Sequence, residues 1–176
     1  MLVIDGLDTL ATVRVNGKVV IEAANAFRSY RAELADIARI GENAIEITFH
    51  SVTKEAAKRK AAQPFPIPHS KNCPIPDGNL IRKPACDFGW DWNIALAPFG
   101  ITGGIRLEPL RATRVAGLSV IQHHEPGAVT LTVDAALAGE PSQAVLSFTF
   151  GGETRQVTAS GTKATAQFRI TDPQLW

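Results

Sequence analysis

The strongest constraint on the fold is a pattern of short alternating runs of apolar and polar residues, separated by turn-forming residues. Residues 12–15 alternate in this way, Asn16 and Gly17 follow them, and the alternation then resumes. Asn-Gly is the favoured two-residue turn between antiparallel strands, because both of its residues adopt positive φ. We therefore predict a β-hairpin over residues 10–22. The same alternation predicts a strand over residues 45–50.

The part of the chain after residue 111 has a residue pattern that predicts strands only. Five short strands are predicted, at residues 118–123, 129–135, 144–150, 154–159 and 164–170. Turn-forming residues separate them, at 125–127, 139–141, 151–152 and 160–161. Short strands with regular turns are typical of an immunoglobulin-like β-sandwich. The Cys…Trp…Cys pattern of antibody domains is missing, so only the architecture is predicted, with residues 111–115 as the link before it.

The middle of the chain has a different composition. Residues 53–62 are rich in Ala and Lys, and they predict one short exposed helix with Thr53 as its cap. Residues 64–76 then contain five prolines, which exclude central strands and restrict the backbone. We expect a long loop of fixed shape there, and such loops in compact domains are usually functional. A further strand is predicted at residues 104–108.

Composition excludes several classes of function. The chain has 176 residues and a net charge of +1, so we expect no nucleic-acid or membrane-surface partner. No apolar run reaches the ~18 residues needed to span a bilayer, and the start has no basic leader, so we predict a cytoplasmic protein. Cys73 and Cys86 favour free thiols over a disulfide. His123 and His124 face opposite sides of a strand, so we expect no metal and no cofactor.

Three segments carry a family resemblance. Residues 5–17 (DGLDTLATVRVNG) and 28–49 resemble the hairpin and the next strands of the sugar-binding jelly roll of family 2 glycoside hydrolases. Residues 81–92 (IRKPACDFGWDW) are the most specific, because an Arg-Lys pair followed by Phe-Gly-Trp-Asp-Trp resembles the β-mannosidase type. Residues 172–176 are similar to the close of the family's first sandwich domain. Residues 102–104 depart from the family, which tends to have an aromatic residue there.

The resemblance implies an all-β chain of two domains. Residues 1–111 would be a galactose-binding-like jelly-roll β-sandwich without its N-terminal strands. Residues 112–176 would be an immunoglobulin-like β-sandwich without its C-terminal strands. Open sheet edges of this kind favour self-association. The family's catalytic barrel and its two glutamates have no counterpart in this sequence, so no residue here is expected to be catalytic.

The implied function is therefore the non-catalytic, substrate-supporting part of an enzyme that removes terminal β-mannosyl residues with retention. A free-standing carbohydrate-binding protein is the alternative, and a purely structural module is a third. Measurable sugar affinity in this chain alone would favour the second hypothesis. A catalytic barrel encoded in the same reading frame would favour the first.

The site residues implied by the resemblance lie in the Trp-Asp-Trp motif. Sugars offer apolar ring faces and a rim of hydroxyls, which aromatic rings and carboxylates bind. The matching Asp in β-mannosidases contacts the sugar's hydroxyls, which implies this role for Asp91, with Trp90 shaping the site and Trp92 packing. In an extended strand both tryptophans would point away from Asp91. Composition alone favours two core tryptophans and an aspartate that caps a turn, and the resemblance reverses this expectation for Asp91.

Two basic residues precede this motif. Arg82 and Lys83 are predicted to support the loop through carboxylates such as Asp87. The alternative is a solvated pair of cations with no structural partner.

Overall fold

A computed structural model describes residues 1–69, 71–109, 113–139 and 143–174. The chain divides into two compact units, Met1–Glu108 and Pro109–Trp176. The boundary predicted between residues 111 and 112 lies outside the described residues.

The first unit is built mainly from short antiparallel strands. Two three-stranded sheets have the orders β5-β1-β8 and β4-β3-β6, and β2 pairs with β7. The elements are β1 (Leu2–Ile4), β2 (Leu7–Asp8), β3 (Leu10–Val15), β4 (Lys18–Ala24), β5 (Tyr30–Ala32), β6 (Ile45–Phe49), α1 (Val52–Ala61), β7 (Gly100–Ile101) and β8 (Ile105–Leu107).

Two cores hold this unit together. The main core joins both three-stranded sheets, because Leu2 and Ile4 of β1 belong to the same buried cluster as Val13 and Val15 of β3. Such a pair of sheets around one core is a β-sandwich. A second core lies on the opposite face of β3, since successive residues of a strand point to opposite sides. It consists of Leu10, Val52, Ala56, Ile81 and Phe88.

The hairpin predicted from Asn-Gly is confirmed. β3 pairs with β4 from Val15 opposite Lys18, which leaves Asn16 and Gly17 as a two-residue turn. Their φ angles are 50° and 81°, both positive as this type of turn requires. β6 pairs with the other edge of β3 and confirms the strand predicted at residues 45–50.

The helix is also confirmed, but its cap is not the predicted one. α1 begins after Ser51, whose hydroxyl accepts a hydrogen bond from the Lys54 amide at 3.3 Å. Thr53 lies inside the first turn instead. Ser51 has the extended backbone of an N-cap (φ −64°, ψ 114°), which explains why it takes this role. The described residues of the proline-rich segment 64–76 form neither helix nor strand, as predicted.

The second unit is a β-sandwich of five strands. One sheet has the order β13-β10-β9, and β11 pairs with β12 in the other. Residues of both sheets, such as Phe168 and Phe148, share one core. The five predicted strands are confirmed, and so is the all-β fold class. The strands are β9 (Arg114–Glu125), β10 (Ala128–Ala138), β11 (Val145–Phe150), β12 (Glu153–Thr158) and β13 (Lys163–Thr171).

Strand β9 differs from the sequence-based expectation in one respect. It begins at Arg114, so the end of the predicted 111–115 link already belongs to the sheet. Its apolar residues Val115, Leu118 and Val120 are 54%, 64% and 51% exposed, and β9 contributes no residue to the described core. β9 is also an edge strand, so its outer backbone groups have no neighbouring strand among the described residues.

No helix within the described ranges is long and apolar enough to cross a membrane.

The hairpin turn gives a test of the first unit's stability. Gly17 has φ +81° and open space where a Cβ would lie, so Gly17→Ala changes only the backbone preference. We expect a loss of about 1 kcal/mol in the free energy of unfolding of this unit, measured by denaturant titration. Gly117→Ala in β9 is the comparison in the second unit: Gly117 has open space and no positive φ, so the substitution should not lower the free energy of unfolding of that unit. Equal effects of the two substitutions would contradict the turn assignment.

Candidate functional site

The segment that follows the proline-rich loop is a series of tight turns. A 3₁₀ turn spans Ala85–Phe88, and a second spans Trp90–Trp92. Gly89 separates them with φ 93°, and a Cβ there would lie 2.5 Å from Cδ of Pro74. Only glycine fits this position without strain, so the direction of the chain into the second turn is fixed.

The extended arrangement of the Trp-Asp-Trp motif is therefore wrong. Asp91 and Trp92 have φ angles of 60° and 56°, in the left-handed region, and the Asn93 amide donates to the Trp90 carbonyl at 3.4 Å. The physical reason is that Gly89 already turns the chain, so no strand can continue through the motif. The two tryptophans consequently need not share a face.

Lys83 anchors this segment to the sheet. Its side chain is fully buried, and its ammonium contacts Asp8 Oδ2 at the end of β2 and lies 2.7 Å from Asp87 Oδ2. Asp8 in turn accepts a hydrogen bond from the Thr9 hydroxyl. The solvated alternative for Lys83 does not hold, since burial of an ammonium requires such partners. The contact with Asp87 is the geometry that the loop-supporting prediction requires, and the role itself stays a prediction.

Arg82 contributes through its backbone. Its carbonyl accepts a hydrogen bond from the Ala26 amide at 2.9 Å, and it forms an isolated bridge with Asn25 just after β4. The guanidinium is exposed and makes no contact of its own with a described residue. Arg82 therefore fixes the start of the segment by its main chain, while its side chain is solvated.

A pocket opens beside this segment. Its volume is about 470 Å³, and Phe88 and Ile81 of the second core line its apolar part. Trp90 and Lys83 also line it. The remaining described lining residues come from the loop and the turns around it: Pro68, His69, Cys73, Gly78, Asn79 and Ala85.

The three residues of the motif differ in exposure. Trp90 is 38% exposed and presents part of its ring to the pocket. Asp91 is exposed, is not among the described lining residues, and makes no hydrogen bond or ion pair within the described parts of the chain. Trp92 is 87% exposed, so the packing expected of it is not found in this structure. The turn thus presents a free carboxylate between two accessible indole rings.

This arrangement has the chemistry of a neutral polar ligand site. An indole face stacks on apolar ring surfaces, and a free carboxylate accepts hydrogen bonds from hydroxyls. Within the described residues no group of three or more His, Cys, Asp or Glu side chains could hold a metal ion. Cys73 and Cys86 are both free thiols.

Comparison with known proteins gives this geometry its context. A family model described as glycosyl hydrolase 2 galactose-binding domain-like matches residues 1–103, which include the anchored segment and the motif. The chain belongs to this family. The predicted resemblance to family 2 is thereby confirmed.

Relatives of this family 2 chain are β-mannosidases. "Beta-mannosidase B" of Aspergillus fumigatus is 32% identical over 187 residues, covering 100% of this chain and 22% of that protein. "Beta-mannosidase" of Capra hircus is 33% identical over 112 residues, covering 61% of this chain and 13% of that protein. The crystal structure of a β-D-mannosidase from Dictyoglomus thermophilum matches 99% of the chain with a TM-score of 0.76 and 22% identity, over 22% of its own length. The chain thus spans only a fraction of the proteins it resembles.

Sequence reasoning missed part of the candidate site. Asp8 was not predicted, although it contacts Lys83 across 75 residues of sequence. His69 and Asn79 were given no role, and both line the pocket. The His69 ring contacts the Cys73 carbonyl at 3.2 Å, and the Asn79 amide donates to the Pro68 carbonyl at 3.0 Å. The proline density of the loop was the one signal that pointed to this region.

Gly78 offers a test of how the pocket wall is packed. A Cβ at this position would lie 2.5 Å from Cγ of the Phe88 ring, and Phe88 is 1% exposed. Gly78→Ala should cost about 1–3 kcal/mol in the free energy of unfolding, because the buried ring must shift. Denaturant unfolding of the variant measures this.

The neighbouring Asn79→Ala is the control for that test. Asn79 is exposed and would lose only its hydrogen bond to the Pro68 carbonyl. Its cost should stay below about 1 kcal/mol. A Gly78→Ala chain as stable as the wild type would mean that Phe88 has room to move.

Proposed function

We propose that this chain is the substrate-supporting, non-catalytic part of a β-mannosidase that hydrolyses terminal β-mannosyl residues with retention. The observation that carries the proposal is the similarity along the whole chain to proteins named β-mannosidase. Family membership associates the chain with carbohydrate, through the galactose-binding-like description of residues 1–103. The finer assignment, to a terminal β-mannoside, is our inference. So is a cytoplasmic location.

Asp91 is the proposed contact to the sugar. Its carboxylate is exposed and makes no contact with a described residue, so its lone pairs are available to hydroxyl donors. A charged acceptor forms shorter and stronger hydrogen bonds with hydroxyls than a neutral one does. Asp91 has a φ of 60°, in the left-handed region, so the chain turns at this exposed residue.

Trp90 is the proposed platform beside it. Trp90 is 38% exposed and lines the pocket, so part of its surface is available for stacking. A fixed aromatic ring loses little conformational entropy when a sugar stacks on it. Arg82 and Lys83 would support the site without touching the sugar, and Trp92 supplies an exposed ring on the other side of Asp91.

The pocket favours a second candidate function. The cavity has a volume of about 470 Å³ and is lined by an indole, an imidazole and an amide. This size and this lining suit one small polar ligand. The chain by itself would then be a carbohydrate-binding protein. Calorimetric titration of the chain with mannose and methyl β-mannoside separates the two functions, because only the second requires measurable affinity without the catalytic part.

The first function predicts a defined effect of Asp91→Ala in the complete β-mannosidase that would contain this chain. Loss of a hydrogen bond to a charged group costs roughly 1.5–3 kcal/mol, which should lower kcat/KM about 10- to 150-fold. Steady-state kinetics with an aryl β-mannoside measures this. The chain alone should give no turnover.

Asp36→Ala is the matched control for Asp91. Asp36 is an exposed aspartate of the same unit and makes no contact with a described residue. Its replacement should leave kcat/KM unchanged. An Asp91→Ala enzyme with normal stability and normal kcat/KM would remove Asp91 from the site, and turnover by the repurified chain alone would disprove its non-catalytic role.

We also propose self-association through open sheet edges. In β9 an open strand edge coincides with exposed Leu118 and Val120 on one face of the strand, and a second copy can cover both. Light scattering with chromatography should show a mass that rises with concentration. Leu118→Lys should shift the chain toward monomer, whereas Ser119→Lys, on the opposite face of the strand, should do so less. A monomer at every concentration would contradict the proposal.

A further inference from the structure

The buried ion triad is defined here as Lys83 with its two carboxylate partners, Asp8 and Asp87. We propose that Lys83 is a positioning residue: it fixes the turn that carries Trp90 and Asp91 in its binding geometry before any sugar arrives. The consequence for sugar affinity depends on the proposed function, whereas the fixed position of the turn does not.

The triad connects two parts of the first unit that the chain itself holds far apart. Asp8 ends strand β2 and is 8% exposed. Asp87 lies in the 3₁₀ turn Ala85–Phe88, three residues before Trp90. Because the Lys83 ammonium contacts both carboxylates, a displacement of the turn must break an ion pair with a buried partner.

Burial makes this connection selective for one geometry. The Lys83 side chain is 0% exposed, and those of Asp8 and Asp87 are 11% and 20% exposed, so water replaces little of a lost contact. Breaking a buried pair by removing one partner is far more costly than breaking a surface pair. The turn therefore has one favourable position instead of several, which is the physical content of a preorganised site.

The backbone of Asp87 transmits this position to the rest of the segment. Its carbonyl accepts a hydrogen bond from the Ala97 amide at 2.9 Å, where the chain returns from the motif. The next carbonyl, of Phe88, accepts from the Ile75 amide at 3.3 Å in the proline-rich loop. The chain on each side of the motif, at Ile75 and at Ala97, is thus hydrogen-bonded to the turn that contains Asp87. Lys83 and Trp90 also line the same pocket.

The alternative is that the triad contributes stability alone. Replacement of a buried ion network by neutral residues of similar volume is often neutral or stabilising, which allows the two roles to be separated. Lys83→Met leaves two carboxylates without their cation and should destabilise the first unit strongly. The triple variant Asp8→Asn, Lys83→Met, Asp87→Asn has no buried charge, keeps the volume and should recover most of that stability.

The position of the turn can be measured without a ligand. The chain has three tryptophans, so Trp92→Phe with Trp176→Phe leaves Trp90 as the only indole. In this background the acrylamide quenching constant reports the accessibility of Trp90. Release of the turn in the triple variant should raise it about twofold, which is the ratio of the exposure of Trp92 (87%) to that of Trp90 (38%).

The matched control is Lys58→Met. Its ammonium is 81% exposed and 3.9 Å from Glu55, so this variant removes the same charge from the same unit without a buried partner. Quenching of Trp90 should not change in it. In the triple variant without the tryptophan substitutions, the sugar affinity of the chain, or kcat/KM of the complete enzyme, should fall about tenfold or more. The reason is that the hydrogen bond from the sugar hydroxyl to the Asp91 carboxylate loses its alignment.

The outcomes separate the two proposals. A folded triple variant with unchanged Trp90 quenching would overturn the positioning role, whatever its activity. Increased quenching in the triple variant, combined with unchanged affinity and unchanged kcat/KM, would support the positioning of the turn and reject the sugar contact. Should Lys83→Met fail to fold, the triple variant still decides the question.

Discussion

The interaction on which we propose that the position of the candidate site depends is the buried contact of the Lys83 ammonium with Asp8 and Asp87. Between α1 and β7 the chain runs through residues 62–99, and in the described part of that stretch the regular structure consists of short 3₁₀ turns. Such a segment has few backbone hydrogen bonds of its own. We propose that its order comes instead from Phe88 in the second core and from Lys83, whose charge must be neutralised wherever it is buried. In this proposal Phe88 provides the packing, and Lys83 determines where the segment lies.

The sequence separation of interacting residues explains which features were predictable from sequence. The hairpin at Asn16-Gly17 follows from two adjacent residues and their preference for positive φ, so a local pattern was sufficient. The contact of Lys83 with Asp87 is also local, four residues along the chain, and the sequence indicated it as one of two alternatives. Its contact with Asp8 spans 75 residues, and only the complete sheet brings β2 to this place. No local pattern contains that information.

The Trp-Asp-Trp motif illustrates the opposite error. Alternation of aromatic and polar residues is compatible with a strand, and the sequence also allowed an aspartate that caps a turn, so the local pattern did not decide between them. The decisive residue is Gly89, because its φ of 93° and the nearby Pro74 ring both exclude a side chain at this position. That steric constraint comes from a different part of the loop. Tertiary packing overrides the local preference, and as a result Asp91 is presented at a turn and not on the face of a sheet.

The two units also show why a fold by itself does not identify a function. The similarity to the Dictyoglomus thermophilum structure, at 22% identity, reflects the shared β architecture. A sheet of this kind can carry many different loops. The strands of the second unit also pair as antiparallel sheets, but their described residues do not present a comparable pair of an exposed carboxylate and an indole on an anchored loop. What distinguishes the first unit is a loop whose exposed carboxylate and indole are held by buried charge and a buried ring. A binding site needs residues that are free to meet a ligand, yet those residues must not be free to move. In the proposed site both conditions would be met, because Asp91 and Trp90 are accessible while Lys83 and Phe88, which would hold their backbone, are buried.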